Sequence, residues 1–362
     1  MEFNQGDDYL ESSPFKPGQS NPQPPRQSPP PAQRPPSYQP YPPQRKRGGW
    51  RVFWGILFTL SVLANLGMFF LLIGVIAFVA SGQAHQNQMA ILQEGSPDQR
   101  IVVVNLTGII DENQASEIHR QLRAAREDDH VQGIILRVNS PGGTVSGSDR
   151  IYEELRKYRQ ERGQPVVAFM RGIAASGGYY SAVACEEIIA EPTTITGSIG
   201  VVMSHFVVED LLENKLGIEP VFLTAGAKKD WPSSFRTPSE EELEYVRQRI
   251  LTPAYDRFVD VVRQGRSSVL TPNEVSQLAD GSVYTAPQAR EVKLIDDIGY
   301  LDDAVTRVAN KAGLSSPQVV EYRRPFSFLG LLEAKSAPAI KLDRSTLYEM
   351  TAPEVMYLWN AY

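Results

Sequence analysis

The 362-residue chain has a formal net charge of −6, 42% hydrophobic residues, four histidines and one cysteine. That charge balance argues against a general nucleic-acid binder. The single Cys185 excludes an intrachain disulfide, and no CxxC pair or HExxH motif supplies metal-ligand spacing, so no metal or other cofactor is implied.

Residues 1–49 are dense in Pro, Gln and Ser, as in Ser28-Pro29-Pro30-Pro31. Too little apolar surface is present to offset the entropy of ordering, so a disordered arm is expected. Arg45-Lys46-Arg47 then precedes an uncharged apolar run from Val52 to Ala80. About 20 apolar residues span a bilayer, and this run exceeds that. It lies too far from the N-terminus, and is too long, for a cleaved signal peptide. We therefore expect one transmembrane helix within 50–81, its basic flank and arm cytoplasmic and everything beyond it extracytoplasmic. Residues 82–99 read as a polar linker.

A folded domain is expected over 100–325. Ile101 to Leu106 is a β-branched run predicting a buried strand. Gln114 to Glu127 has helical spacing, Val131 to Val138 predicts a second strand, and Ser146 to Glu161 a second helix. Val166 to Met170 predicts a third strand, Tyr179 to Glu186 a helix, and Ile188 to Ala190 a fourth strand. The alternation predicts an α/β domain with right-handed crossovers. Asp210 to Leu216, Ser239 to Gln264, a segment from Thr271-Pro272 and Tyr300 to Ala312 read as further helices, the last stopped by Gly313. Phe326 to Leu332 is apolar. Residues 326–362 form a tail whose adhesive spot is Met356-Tyr357-Leu358-Trp359.

Chemistry concentrates where strands turn into helices. Gly172 to Gly178 joins the third strand to the next helix and carries Ser176. Open α/β sheets place their sites at such strand ends, and a helix N-terminus there can hold a developing anion. A helix-capping serine flanked by packing glycines would read the same from this stretch alone. A second Gly-Gly pair, in Asn139-Ser140-Pro141-Gly142-Gly143, ends the neighbouring strand. The N–H groups of Gly143 and Gly177 are thus candidates for an oxyanion hole beside Ser176 Oγ. A nucleophilic serine needs a base. His205 is the one histidine suitably placed, and Lys228 and Lys229 lie in a small-residue segment where burial can lower a lysine pKa. Spacing leaves these three open. Cys185, mid-helix, reads as a small core residue.

Three motifs go further. Asn139-Ser140-Pro141-Gly142-Gly143, Ala174-Ala175-Ser176-Gly177-Gly178-Tyr179-Tyr180 and Thr196-Gly197-Ser198-Ile199-Gly200-Val201 resemble those of the signal peptide peptidase A family. These are Ser–Lys serine endopeptidases with a ClpP/crotonase-like fold. Lys229-Asp230, Asp280 to Thr285 and Leu294 to Gly299 continue the resemblance in order, over about Arg100 to Leu314, in the short, single-repeat form. It implies Ser176 as nucleophile, Lys229 as general base and Ser198 as the hydroxyl that orients the lysine. Where the family often has Gly-Lys-x-Lys-Asp, this chain has Gly226-Ala227-Lys228-Lys229-Asp230. The resemblance also implies membrane signal peptides and other hydrophobic peptides as substrates, and a homo-oligomer in which neighbouring subunits share the dyad. Ser176 and Lys229 of one chain should then lie beyond hydrogen-bond reach. A catalytically silent scaffold and a crotonase-like acyl-CoA enzyme are the alternatives for the same fold.

Overall fold

In this computed structural model the described residues are 49–83, 88–323 and 354–359. Most of the Pro-rich arm and the Phe326 to Leu332 run lie outside them. Helix α1 (Gly49–Gln83) is uninterrupted. Its Gly49–Ala77 part has a mean hydropathy of 2.4 and is long and apolar enough to cross a membrane. Thr59 Oγ1 donates to Gly55 O at 2.9 Å and Asn65 Nδ2 to Ser61 O at 2.7 Å. Both polar side chains are thereby satisfied on their own helix, as an apolar medium demands.

The folded domain runs β1 (Gln88–Gln93), β2 (Ser96–Thr107), α2 (Glu112–Glu127), β3 (Val131–Ser140), β4 (Gly142–Thr144), α3 (Val145–Arg162) and β5 (Val166–Ala175). Next come α4 (Gly177–Ala182), β6 (Glu187–Ala190), β7 (Ile195–Gly197) and β8 (Val202–Ser204). After an irregular stretch follow α5 (Glu240–Val246), α6 (Thr252–Gly265), α7 (Pro272–Leu278), β9 (Val283–Thr285), α8 (Ala286–Glu291) and β10 (Asp297–Ile298). The last elements are α9 (Leu301–Ala312), β11 (Pro317–Arg323) and β12 (Glu354–Leu358).

The main sheet has the order β1-β11-β2-β3-β5-β6-β10. All its neighbours are parallel except β1 on β11. Alternation along the strands divides the core. Val102, Val104, Ile134, Leu136, Val166 and Ala168 face one side, with Ile118 and Leu122 of α2 and Ile151 and Leu155 of α3. Ile101, Val103, Ile135, Val167 and Phe169 face the other, against Ala304, Val305 and Val308 of α9. This is the three-layer α/β arrangement expected from a parallel sheet buried on both faces.

Several elements differ from the sequence reading. The strand predicted to end at Met170 runs on to Ala175 because β5 changes partner midway. Residues 167–170 pair with β6, and residues 173–175 pair with β7. Helix α4 is shorter than expected and stops at Ala182, since the chain must turn for Glu186 N to reach Val166 O at 2.9 Å. Cys185 therefore sits in that turn, not mid-helix, and burial pushes its thiol up to about 12. The long helix expected from Ser239 is continuous to Gly265 but contains a π-helical turn at Arg247–Leu251, before Pro253, which has no N–H to continue the ladder. Asp210 to Leu216 is helical as expected, but its middle, Leu211–Lys215, is wound as a π-helical turn. The stretch read as a linker holds β1 and the start of β2, and the tail returns as β12. The helix at Leu301–Ala312 ends on Gly313 at φ 68°, as expected.

Candidate active site

Ser176 falls between the last residue of β5 and the first of α4, at φ 52° and ψ −115°. A non-glycine residue there carries strain on the order of 1–3 kcal/mol. The surroundings fix it. Ser176 N donates to Gly197 O at 2.8 Å, and Ser176 O accepts from Tyr180 N at 2.8 Å. The side chain makes no capping hydrogen bond, which sets aside the reading of Ser176 as an ordinary N-cap. Because Ala175 pairs with Gly197, the next residue on each strand is a serine, and both serines have positive φ (Ser198 at 51°). The sheet register thus brings Ser176 and Ser198 side by side. Both are buried. Beside Ser198 an open cavity of about 360 Å³ is bordered by Gly200, Val202, Tyr255, Asp280 and Leu358. The hydroxyl and N–H of Ser282 hold the Asp280 carboxyl below the usual range, so it stays ionised at the cavity rim.

The second glycine pair meets the first. Ser140 Oγ donates to Gly108 O at 2.6 Å and accepts from Gly142 N at 3.1 Å, which ties down the loop after β3. Gly142, at φ 104°, could carry no side chain: a Cβ there would lie 1.9 Å from Tyr357 O and 2.8 Å from Gly177 N. On Gly143 a Cβ would lie 2.0 Å from Ile110 O.

What fills the space between these loops is the chain's own β12. It lies antiparallel between β4 and β8, with Met356 opposite both Thr144 and Val202, and Tyr357 opposite Gly143. Trp359 N donates to Pro141 O at 2.9 Å. Bonded pairs recur every second residue in an antiparallel ladder, so the Gly143 N–H faces the Tyr357 carbonyl. That carbonyl oxygen also packs on Gly177, where a Cβ would approach it to 3.1 Å. Its side chain is wholly buried in an aromatic pocket. The ring stacks on Tyr180 at 5.0 Å and tilts against Phe258 at 4.7 Å, and its hydroxyl donates to Ala254 O at 2.6 Å. Burial raises the Tyr357 phenol well above its ordinary range.

The candidate bases lie elsewhere. Lys228 is tethered: its Nζ sits 4.4 Å over the Trp231 ring, 4.5 Å over Tyr245 and 3.7 Å from Glu241 Oε1. Lys229 is exposed, and its Nζ makes no hydrogen bond or ion pair among the described residues, Ser176 included. His205 Nε2 lies 3.2 Å from Ser233 O and is engaged within its own loop. One chain thus brings together Ser176, Ser198, Gly143 and Gly177, and leaves Lys229 apart. Sequence reasoning did not single out Gly142 or the pocket of Tyr180 and Phe258. The Gly-Gly pair was the available signal for the first; nothing local signalled the second, since its parts come from α4, α6 and β12.

A strand-end serine at a helix N-terminus thus lies beside two converging glycine loops and an extended segment, on a Clp protease-like α/β domain. The comparisons agree. The Clp protease family model matches residues 87–194, and that of peptidase family S49 matches residues 158–315. A protein of Enterococcus faecium named as a candidate signal peptide peptidase SppA is 37% identical over 243 residues, which is 64% of this chain and 69% of that protein. A candidate protease of Synechocystis is 35% identical over 224 residues, 62% of this chain and 78% of its own length. Protease 4 of Salmonella typhi is 38% identical over 197 residues, 54% of this chain but only 30% of that longer protein. The chain belongs to peptidase family S49, and the resemblance to the signal peptide peptidase A family stands.

Proposed function

We propose that this protein is a membrane-anchored serine endopeptidase that degrades signal peptides and other hydrophobic peptides, with Ser176 as nucleophile and Lys229 of a second copy as base. The observation that carries the reading is β12: an extended segment already lies in the groove, strand-paired on both sides, with one carbonyl against Gly143 and Gly177. A substrate peptide added to the same two edges would present its scissile carbonyl in the same way. Neutral Lys229 Nζ takes the Ser176 proton as Oγ bonds to that carbon, and the Gly143 and Gly177 N–H groups bind the oxyanion. Collapse breaks the C–N bond and passes the proton to the leaving amine. Water, deprotonated by Lys229, then hydrolyses the acyl ester and returns Ser176.

Two features favour a shared dyad. The Lys229 loop is exposed, and the stretch leading to it shows Phe206, Leu211, Ile218, Phe222 and Leu223, the last 96% exposed. A patch of that kind marks an interaction surface. The cavity beside Ser198, with ionised Asp280 at its rim, offers room for an incoming lysine. The apolar α1 supplies the anchor, with residues 1–49 cytoplasmic and the peptidase domain, from β1 onward, outside, oriented by Arg45-Lys46-Arg47. Digestion of a synthetic signal peptide tests the assignment. Wild type should cleave it and Ser176→Ala should not, with a drop on the order of 10,000-fold or more. Undiminished turnover by Ser176→Ala overturns it.

A further inference from the structure

We propose that Arg236, locked by Glu242 and joined to Asp230, is the positioning residue that presents Lys229; this rests on Lys229 being the base. Lys229 follows a turn at Gly226, whose φ is 113°, and Lys229 N donates to Gly226 O at 3.1 Å. Among the described residues nothing holds its own side chain, but both of its neighbours are gripped. Lys228 on one side lies over Trp231 and Tyr245 and beside Glu241. Asp230 on the other side accepts from Arg236 Nη2 at 3.1 Å. Arg236 in turn donates from Nη1 to Glu242 Oε2 at 2.7 Å and from Nη2 to Glu242 Oε1 at 2.5 Å.

Glu242 is the fixed end of this chain of contacts. It is the third residue of α5, its side chain is 1% exposed, and it closes the capping box by accepting from Ser239 N at 2.7 Å. The arrangement runs from a helix N-terminus, through a two-pronged guanidinium, to the residue after Lys229. Only arginine has the fork to hold both Glu242 oxygens and still reach Asp230. Partly exposed ion pairs add little to stability, so a pair serving the fold alone would leave turnover unchanged when cut. A base displaced by about 1 Å loses roughly 100-fold in rate. The two roles therefore differ in what they move.

The test uses full-length enzyme in detergent micelles and a synthetic signal peptide. Asp230→Asn and Arg236→Ala should lower kcat about 10- to 100-fold, with KM changed less than about twofold. Arg236→Lys should recover part of the loss. In mixed assemblies Arg236→Ala should be rescued by Ser176→Ala subunits but not by Lys229→Ala subunits, because it disables the half that carries the base. Asp230→Asn leaves the buried Glu242 untouched, so it reports on positioning even if Arg236→Ala folds poorly. If Lys229→Ala is inactive while Asp230→Asn and Arg236→Lys both turn over as wild type, the positioning role is overturned. If Lys229→Ala itself stays active, the dyad reading falls, and the positioning role with it.

Discussion

The Ser176 and Lys229 regions are built in opposite ways. Ser176 is buried where β5, β7 and α4 meet, and its own N–H and C=O are both hydrogen-bonded within the domain. Lys229 rides an exposed turn held through its neighbours by a few polar contacts. Buried, over-determined backbone can sustain a strained nucleophile. A surface turn can be carried to a site on another subunit. The contrast accords with the proposed division of labour, in which one chain forms the nucleophile half and a second copy supplies the base.

The sharpest way to break this comparison is at the lysines. Lys229→Ala should cost roughly 100- to 10,000-fold in kcat/KM, the span of a lost general base. Lys228→Ala should cost only a few-fold, because it loosens the turn without removing the base. Equal losses would erase the distinction drawn from the tethered Lys228. Mixing Ser176→Ala with Lys229→Ala subunits should restore part of the activity, and no rescue in verified mixed assemblies would place a complete dyad in each chain.

A smaller effect is expected at Gly142. Gly142→Ala puts a Cβ where the Tyr357 carbonyl and the Gly177 N–H now sit, at a φ that L residues rarely adopt. It should dislodge whatever lies in the groove and cost about 100-fold in kcat, comparable to losing one oxyanion donor. Stopped-flow acylation of an activated ester substrate would read this directly, and an unchanged acylation rate would detach the glycine loops from the chemistry.

The smallest effect is in acid stability. Arg236 holds the Glu242 carboxyl at about 2, from an ordinary 4.5. A carboxylate lowered on folding contributes fully above its unfolded value, and the contribution fades as pH falls towards the folded one. The Tm gap between wild type and Glu242→Gln should therefore be constant above about pH 5 and shrink from about pH 4.5 towards 2. A gap that ignores pH would mean that ionisation of Glu242 contributes nothing to it.

Much of this was legible because it is local. β-branched runs gave β2 and β3, helical spacing gave α2 and α3, and helices were expected from Ser239 and from Thr271-Pro272, where capping boxes are complete within four residues. The extension of β5 to Ala175 was not legible, since it depends on β7 pairing from twenty residues on. The return of β12 was hidden for a similar reason. Glu354 to Leu358 has no alternation to mark it, and its position depends on β4 and β8, each at least 150 residues away. Ser176 and Ser198 could be named from motifs, but that they would stand side by side, both at positive φ, became visible only in the structure.

The seating of β12 also bears on how fast substrate can enter. A segment tethered to the groove it occupies acts as a competitor at an effective concentration on the order of millimolar. A free peptide at micromolar levels would wait on its departure, so turnover would be limited by strand release before any bond is broken. Removing residues 354–362 should then lower the apparent KM for a short soluble peptide several-fold and abolish any lag in its progress curve. If KM and lag are unaffected, the strand leaves too readily to restrain the enzyme.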